Sequence, residues 1–166
     1  MLAATACAGD RATAPPVAFD VAPPLATRDE PHVPEGNAFG RVAKCSHRET
    51  FKGAAVIGRR GGTLRVGNDY LIIPAGALDA RVKIVGEVQE GSIAAIHLEP
   101  QGLRFARPAL LELDATGCGL GTTDRPAMLY IDDEDTVLER IDARFDPASA
   151  RLVAPITHFS VYAVGV

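Results

Sequence analysis

The stretch Gly61-Gly62-Thr63-Leu64-Arg65-Val66-Gly67-Asn68-Asp69-Tyr70-Leu71-Ile72-Ile73-Pro74-Ala75-Gly76 decides the fold. Thr63–Val66 and Tyr70–Ile73 are short apolar runs, parted by Gly67-Asn68-Asp69 and bounded outside by Gly61-Gly62 and Pro74-Ala75-Gly76. Branched and aromatic side chains in runs of four or five suit a pleated, half-buried strand, while Gly, Pro, Asn and Asp suit turns. The same alternation continues outward in both directions. Ala54–Ile57 precedes the stretch. Val82–Val88, Ala94–Leu98, Leu110–Leu113, Ala127–Ile131, Val137–Ile141, Arg151–Ala154 and Phe159–Val164 follow it. Turn signals punctuate the chain about every ten residues, which is the spacing of a sandwich or barrel. No window of eleven residues carries a sustained helical stripe, and only Pro74–Asp79 and Ser92–Ala95 leave room for a helical turn. The expected class is all-β, an antiparallel β-sandwich.

Composition narrows the functions. The 166 residues are 47% hydrophobic and 23% charged, which suits one domain with a core of its own. A net charge of −4 and an aromatic set of six Phe, three Tyr and no Trp give neither a basic footprint nor a base-stacking surface. Nucleic acid is therefore not an expected partner. No apolar run reaches the roughly 18–20 residues that span a bilayer as a helix.

Six of the twelve prolines fall in the first 34 residues, at Pro15, Pro16, Pro23, Pro24, Pro31 and Pro34. Proline fixes φ and removes a backbone donor, so residues 8–50 read as an extended, solvated tether, and 51–166 as the folded domain. Met1-Leu2-Ala3-Ala4-Thr5-Ala6-Cys7 resembles the tail of a bacterial lipoprotein signal peptide, with small residues ahead of a cysteine that takes a lipid. Residues 1–7 are the expected remnant of that signal, and Ala4 stands where leucine is usual. The expected location is the bacterial cell envelope, with the membrane met only through the lipid on Cys7. Setting Cys7 aside leaves an even pair, Cys45 and Cys118. Outside the cytosol these two can form a disulfide between the end of the tether and Gly117-Cys118-Gly119, and they are equally compatible with free thiols. Three cysteines without a C-x-x-C spacing do not make a zinc site.

An ordered set of motifs carries a family resemblance. Gly61-Gly62-Thr63-Leu64, Leu71-Ile72-Ile73-Pro74-Ala75-Gly76-Ala77-Leu78, Leu98-Glu99-Pro100-Gln101-Gly102-Leu103-Arg104-Phe105 and Pro108-Ala109-Leu110-Leu111-Glu112-Leu113 occur in that order. Together they resemble the ZU-five domain of ankyrins, netrin receptors, tight-junction scaffolds and bacterial envelope proteins. The double glycine supplies a turn at positive φ. The proline of the second motif ends a buried strand. The last two motifs read as a hairpin-like return onto a core strand. The resemblance implies a β-sandwich used for binding or as a structural module.

Ile156-Thr157-His158-Phe159-Ser160-Val161-Tyr162-Ala163-Val164 is similar to the closing strand of two self-cleaving modules. One is the ZU-five domain of death-domain scaffolds, and the other is the GAIN module of adhesion receptors. The resemblance puts a scissile bond at Phe159–Ser160. In that scheme the Ser160 hydroxyl attacks the preceding carbonyl and His158 takes its proton. On a continuous strand, His158 and Ser160 share a face and Phe159 points the other way. Pro155, by restricting Ala154, is expected to set a tight turn ahead of that strand. The plain alternative is a closing strand with Phe159, Val161 and Ala163 in the core.

Other residues carry less. Asp132-Asp133-Glu134-Asp135 lacks the glycine and the alternation of a calcium loop, and reads as a solvated hairpin tip. His32, His47 and His97 stand alone, with His97 on the polar side of a strand. Gly58-Arg59-Arg60-Gly61-Gly62 lacks the Lys-Ser/Thr and the helix of a phosphate loop. No cofactor and no metal is expected. The favoured function is a non-catalytic binding or structural module, with another protein as its partner. The alternative is a self-processing protein that cuts its own Phe159–Ser160 bond. A sugar-recognising sandwich has little support from so few aromatics.

Overall fold

A computed structural model describes residues 39–121 and 124–166. Among the described residues there are eleven strands and no helix. In chain order they are β1 (Phe51–Ile57), β2 (Gly62–Val66), β3 (Asp69–Ile73), β4 (Val82–Val88), β5 (Ala95–Glu99) and β6 (Arg104–Asp114). Then follow β7 (Ala127–Ile131), β8 (Val137–Ile141), β9 (Arg144–Asp146), β10 (Arg151–His158) and β11 (Val161–Gly165). One sheet runs β1-β4-β5-β11-β7-β8, the other β2-β3-β6-β10-β9, and every pairing is antiparallel. The fold is the expected all-β sandwich.

Alternation in the sequence sets which side chains meet between the sheets. Leu64 and Val66 of β2, Leu71 and Ile73 of β3, and Leu111 and Leu113 of β6 are buried inward. Leu152, Ala154 and Ile156 of β10 join them and face Ile84, Ile96, Leu98, Met128, Tyr162 and Val164. The outward positions of the five-stranded sheet are exposed, as at Arg65, Leu110 and Pro155, or half-buried, as at Tyr70, Ile72 and Val153. β11 is the exception. All five of its residues are buried, because Tyr162 and Val164 serve the main core while Val161 and Ala163 join Ala127, Leu129 and Ile131 in a second cluster.

The structure corrects several expectations. Among the described residues, Arg41–Arg48 is already tied to the sandwich ahead of Phe51, inside the stretch expected as the 8–50 tether. Arg41 and Val166 exchange backbone hydrogen bonds, Ala43 N–H donates to Val164 O at 2.9 Å, and Arg48 pairs with Gly91. The Leu98–Leu113 motifs do not fold back as a hairpin. Pro100–Gly102 makes a turn and β6 then runs unbroken for 11 residues through Pro108. Pro155 sets no turn either. It lies inside β10, beyond Val153 where pairing with β9 stops, and an open edge tolerates its missing N–H. β9 is a strand that the sequence pattern did not signal.

Candidate functional site

The expected closing strand Ile156–Val164 is divided between two elements. β10 ends at His158 in the five-stranded sheet, and β11 begins at Val161 in the six-stranded sheet. Phe159-Ser160 is the crossing between the two layers. A register shift between Ile156 and His158 bends β10 just before the crossing, as bulges at sheet corners do.

Phe159 is the pin of this corner. Its ring is 1% exposed and packs edge-on against Phe105, with centroids 5.0 Å apart. Phe159 N–H donates to Leu103 O at 2.8 Å, and Phe159 O accepts from Gly102 N–H at 3.1 Å. Gly102 takes φ of 75° to point its N–H this way, a conformation that glycine adopts without steric cost. Ser160 O, in turn, accepts from Leu98 N–H at 3.0 Å.

Around the crossing lies a hollow of ≈ 500 Å³ lined by Gln101, Gly102, Arg104, Tyr130, His158 and Ser160 among others. Ser160 is 8% exposed. His158 is half-buried; its Nδ1 lies 3.5 Å from Phe159 O and 3.3 Å from Tyr162 Oη. Tyr162 Oη–H donates to His158 O at 2.7 Å. Burial pushes the Tyr162 phenol well above its ordinary range, with the charges of Glu139 and Tyr130 adding to it, so the hydroxyl keeps its proton. Tyr130 packs edge-on to the His158 ring at 5.3 Å. The structure thus brings His158, Phe159 and Ser160 together as the sequence order requires, but at a break between sheets and not on one strand face. Sequence reasoning missed Gly102, Tyr130 and Tyr162. Tyr162 was legible in part, since a tyrosine at the start of a strand that bonds back to upstream backbone is a recurrent corner of β-sandwiches.

A second polar cluster lies at the other end of β6. Cys45 and Cys118 are joined by a disulfide. Asp69, 2% exposed, accepts from Asp114 N–H at 2.7 Å and lies 3.9 Å from Arg48 Nη2. Arg48 also donates to Asp114 O at 2.6 Å. Burial raises the Asp69 carboxyl to about 6, and the hydrogen bond from Asp114 and the charge of Arg48 offset only part of that. Burial also acts to raise Asp114, but hydrogen bonds from Thr116 and Asn68 and the charge of Arg48 outweigh it and hold that carboxyl low.

The remaining sequence candidates are placed simply. The Asp132–Asp135 run is the β7–β8 hairpin tip, where Asp132 Oδ1 accepts from Glu134 N–H at 3.0 Å and Thr136 N–H at 2.8 Å. His97 and Asp132 border a separate hollow of ≈ 510 Å³. No group of three metal-ligating side chains occurs among the described residues. Cys7, His32 and the signal remnant lie outside the described residues. No protein-family model and no curated protein matches the chain.

Proposed function

We propose that the chain is a ZU-five-like β-sandwich of the bacterial cell envelope, anchored by lipid at Cys7, which acts as a non-catalytic binding or structural module for another protein. One observation supports this most. The segment that follows the proline-rich stretch is tied to the sandwich at successive points. Arg41 and Ala43 bond to the end of β11, Cys45 is bridged to Cys118, and Arg48 reaches Asp114. Tension arriving from the N-terminal side is therefore passed to a central strand and a covalent bridge, not to a lone edge strand. That arrangement suits a domain held on a tether. Fractionation of bacterial cells expressing the chain and Cys7→Ala tests the anchor. The parent is expected in the membrane fraction and the variant in the soluble one; the same distribution for both would remove the anchored reading.

A second reading has its own observation. The Phe159–Ser160 bond lies in the sheet-to-sheet crossing, its carbonyl already accepting from Gly102 and its serine bordering a polar hollow. This geometry suits self-cleavage at that bond by Ser160. β11 lies between β5 and β7, so the severed end would stay in place by strand pairing and burial. Intact mass under denaturing conditions, beside Ser160→Ala, reads the event as a loss of about 0.7 kDa in the parent alone. Equal masses would leave the corner as architecture.

A further inference from the structure

The geometry assigns His158 to the carbonyl oxygen of Phe159, as one of two N–H donors with Gly102, and not to the hydroxyl of Ser160; Tyr162 is the positioning residue that fixes the histidine's tautomer. This assignment rests on the self-cleavage reading and changes the role of its central residue. Tyr162 has one hydroxyl proton, and at 2.7 Å it is given to His158 O. Towards His158 Nδ1, 3.3 Å away, the phenol oxygen can then only accept, so Nδ1 carries a hydrogen. A buried phenol that holds its proton across the physiological range keeps that arrangement. The one Nδ1 hydrogen lies between two acceptors, Tyr162 Oη at 3.3 Å and Phe159 O at 3.5 Å, and turns to the carbonyl as charge builds there, while Gly102 N–H already reaches that oxygen at 3.1 Å. Two donors therefore converge on the oxygen where negative charge develops when the carbonyl is attacked. The longer of the two distances belongs to the resting amide and shortens as the carbonyl becomes tetrahedral.

The step balances without any added reagent except water. Ser160 Oγ bonds to the Phe159 carbonyl carbon, and the bond from that carbon to Ser160 N breaks. The hydroxyl proton ends on that nitrogen by way of solvent in the hollow. Water then opens the ester, leaving a carboxylate on Phe159 and restoring the Ser160 hydroxyl beside its new amine.

The test uses the full chain, folded, with denaturing intact mass read over time between pH 5 and 9, and circular dichroism to establish folding of each variant. His158→Asn keeps an N–H near the Nδ1 position and is expected to cleave within about tenfold of the parent, whereas His158→Ala loses about a hundredfold or more. Tyr162→Phe is expected to slow the histidine chain but to leave the His158→Asn chain unchanged, because an amide has no tautomer to fix. A merely structural tyrosine would slow both. The parent's own pH profile serves where a variant misfolds: a donor histidine keeps its Nδ1–H when protonated, so the rate holds at the acid end of the range. A roughly tenfold fall per pH unit there, with His158→Asn as inactive as His158→Ala, would restore the general-base role and overturn this assignment while self-cleavage stood. A parent that never loses mass would end both.

Discussion

The two ends of β6 are held in opposite ways. At the Asp114 end, a disulfide, a buried carboxylate, an arginine and several backbone bonds all fix the same short segment, residues Arg41–Arg48. At the Arg104 end, the Phe159–Ser160 crossing rests on one buried ring, three backbone bonds and a tyrosine hydroxyl, with no covalent bridge and no ion pair among the described residues. The first region is over-determined and every strong group in it has a partner. The second is pinned at Phe159, and the buried Ser160 beside it borders a hollow. A covalent bridge with a buried ion pair marks a place where the fold is locked; a buried ring beside a polar hollow marks a place where the chain has room to react.

The largest expected effect breaks the locked end. The Cys45–Cys118 bridge spans a sequence separation of 73 residues, and a closed loop of that size restricts the unfolded chain by about 4 kcal/mol. The double variant Cys45→Ala, Cys118→Ala is expected to melt roughly 10 °C or more below the oxidised parent, and reductant should lower only the parent. An unchanged melting temperature would mean that the hydrogen-bonded ties alone hold the segment.

The next effect is a pH dependence at the same end. The Asp69 carboxyl ordinarily ionises near 3.8 and is raised to about 6 by burial. A folded value above the unfolded one means stability that is fully present below the ordinary value and lost as pH rises through about 6. The group alone therefore makes the fold about 2 kcal/mol more stable at pH 4 than at pH 7. Asp114, held low, works against this only as the pH falls through its own range. Asp69→Asn keeps an oxygen for Asp114 N–H but cannot ionise. Denaturant midpoints between pH 4 and 7 should rise on acidification in the parent and show a flatter slope in the variant; matching slopes would assign the dependence elsewhere.

How much of this contrast was legible in the sequence follows from its range. Alternation and turn residues are local, so ten of the eleven strands and the two-sheet class could be read from runs such as Tyr70–Ile73 and Val82–Val88. β9 was missed because Arg144–Asp146 is three residues long and mostly polar. Pro155 misled because a proline in a strand looks like a stop until the neighbouring strand is known to have ended. The tether's end was misplaced because Arg41–Arg48 has no apolar period and is held by distant partners, Val164, Val166, Gly91 and Asp114. The His158-Phe159-Ser160 order was visible, but its break between layers depends on which sheet each half joins. Gly102 and Tyr130 reach the site only through tertiary packing, so no spacing rule pointed to them, and only Tyr162 carried a partial signal as a strand-start tyrosine.

Tyr162→Phe is expected to be modest in stability. It removes the bond to His158 O from a fully buried phenol and costs about 1 kcal/mol, read as a small drop in melting temperature without a change in secondary structure. A loss several times larger would make the corner as heavily determined as the disulfide end and erase the contrast.

The smallest effect sharpens the comparison most. An alanine Cβ at Gly102 meets nothing within 4 Å, so Gly102→Ala has no clash to resolve, and its whole cost is the φ of 75°. That conformation costs an L residue about 1 kcal/mol. The substitution also keeps the N–H that Phe159 O accepts, so a larger loss would mean that the turn had moved. Because the eleven residues of β6 separate Gly102 from Cys118, roughly 36 Å of extended chain, the cost should add to that of removing the disulfide. Denaturant midpoints of the single, double and triple variants supply the cycle. Additivity within about 0.5 kcal/mol keeps the two ends independent. A larger coupling would mean that the locking of the N-terminal segment is felt at the Phe159–Ser160 crossing, and that tension on the one bears on the chemistry of the other.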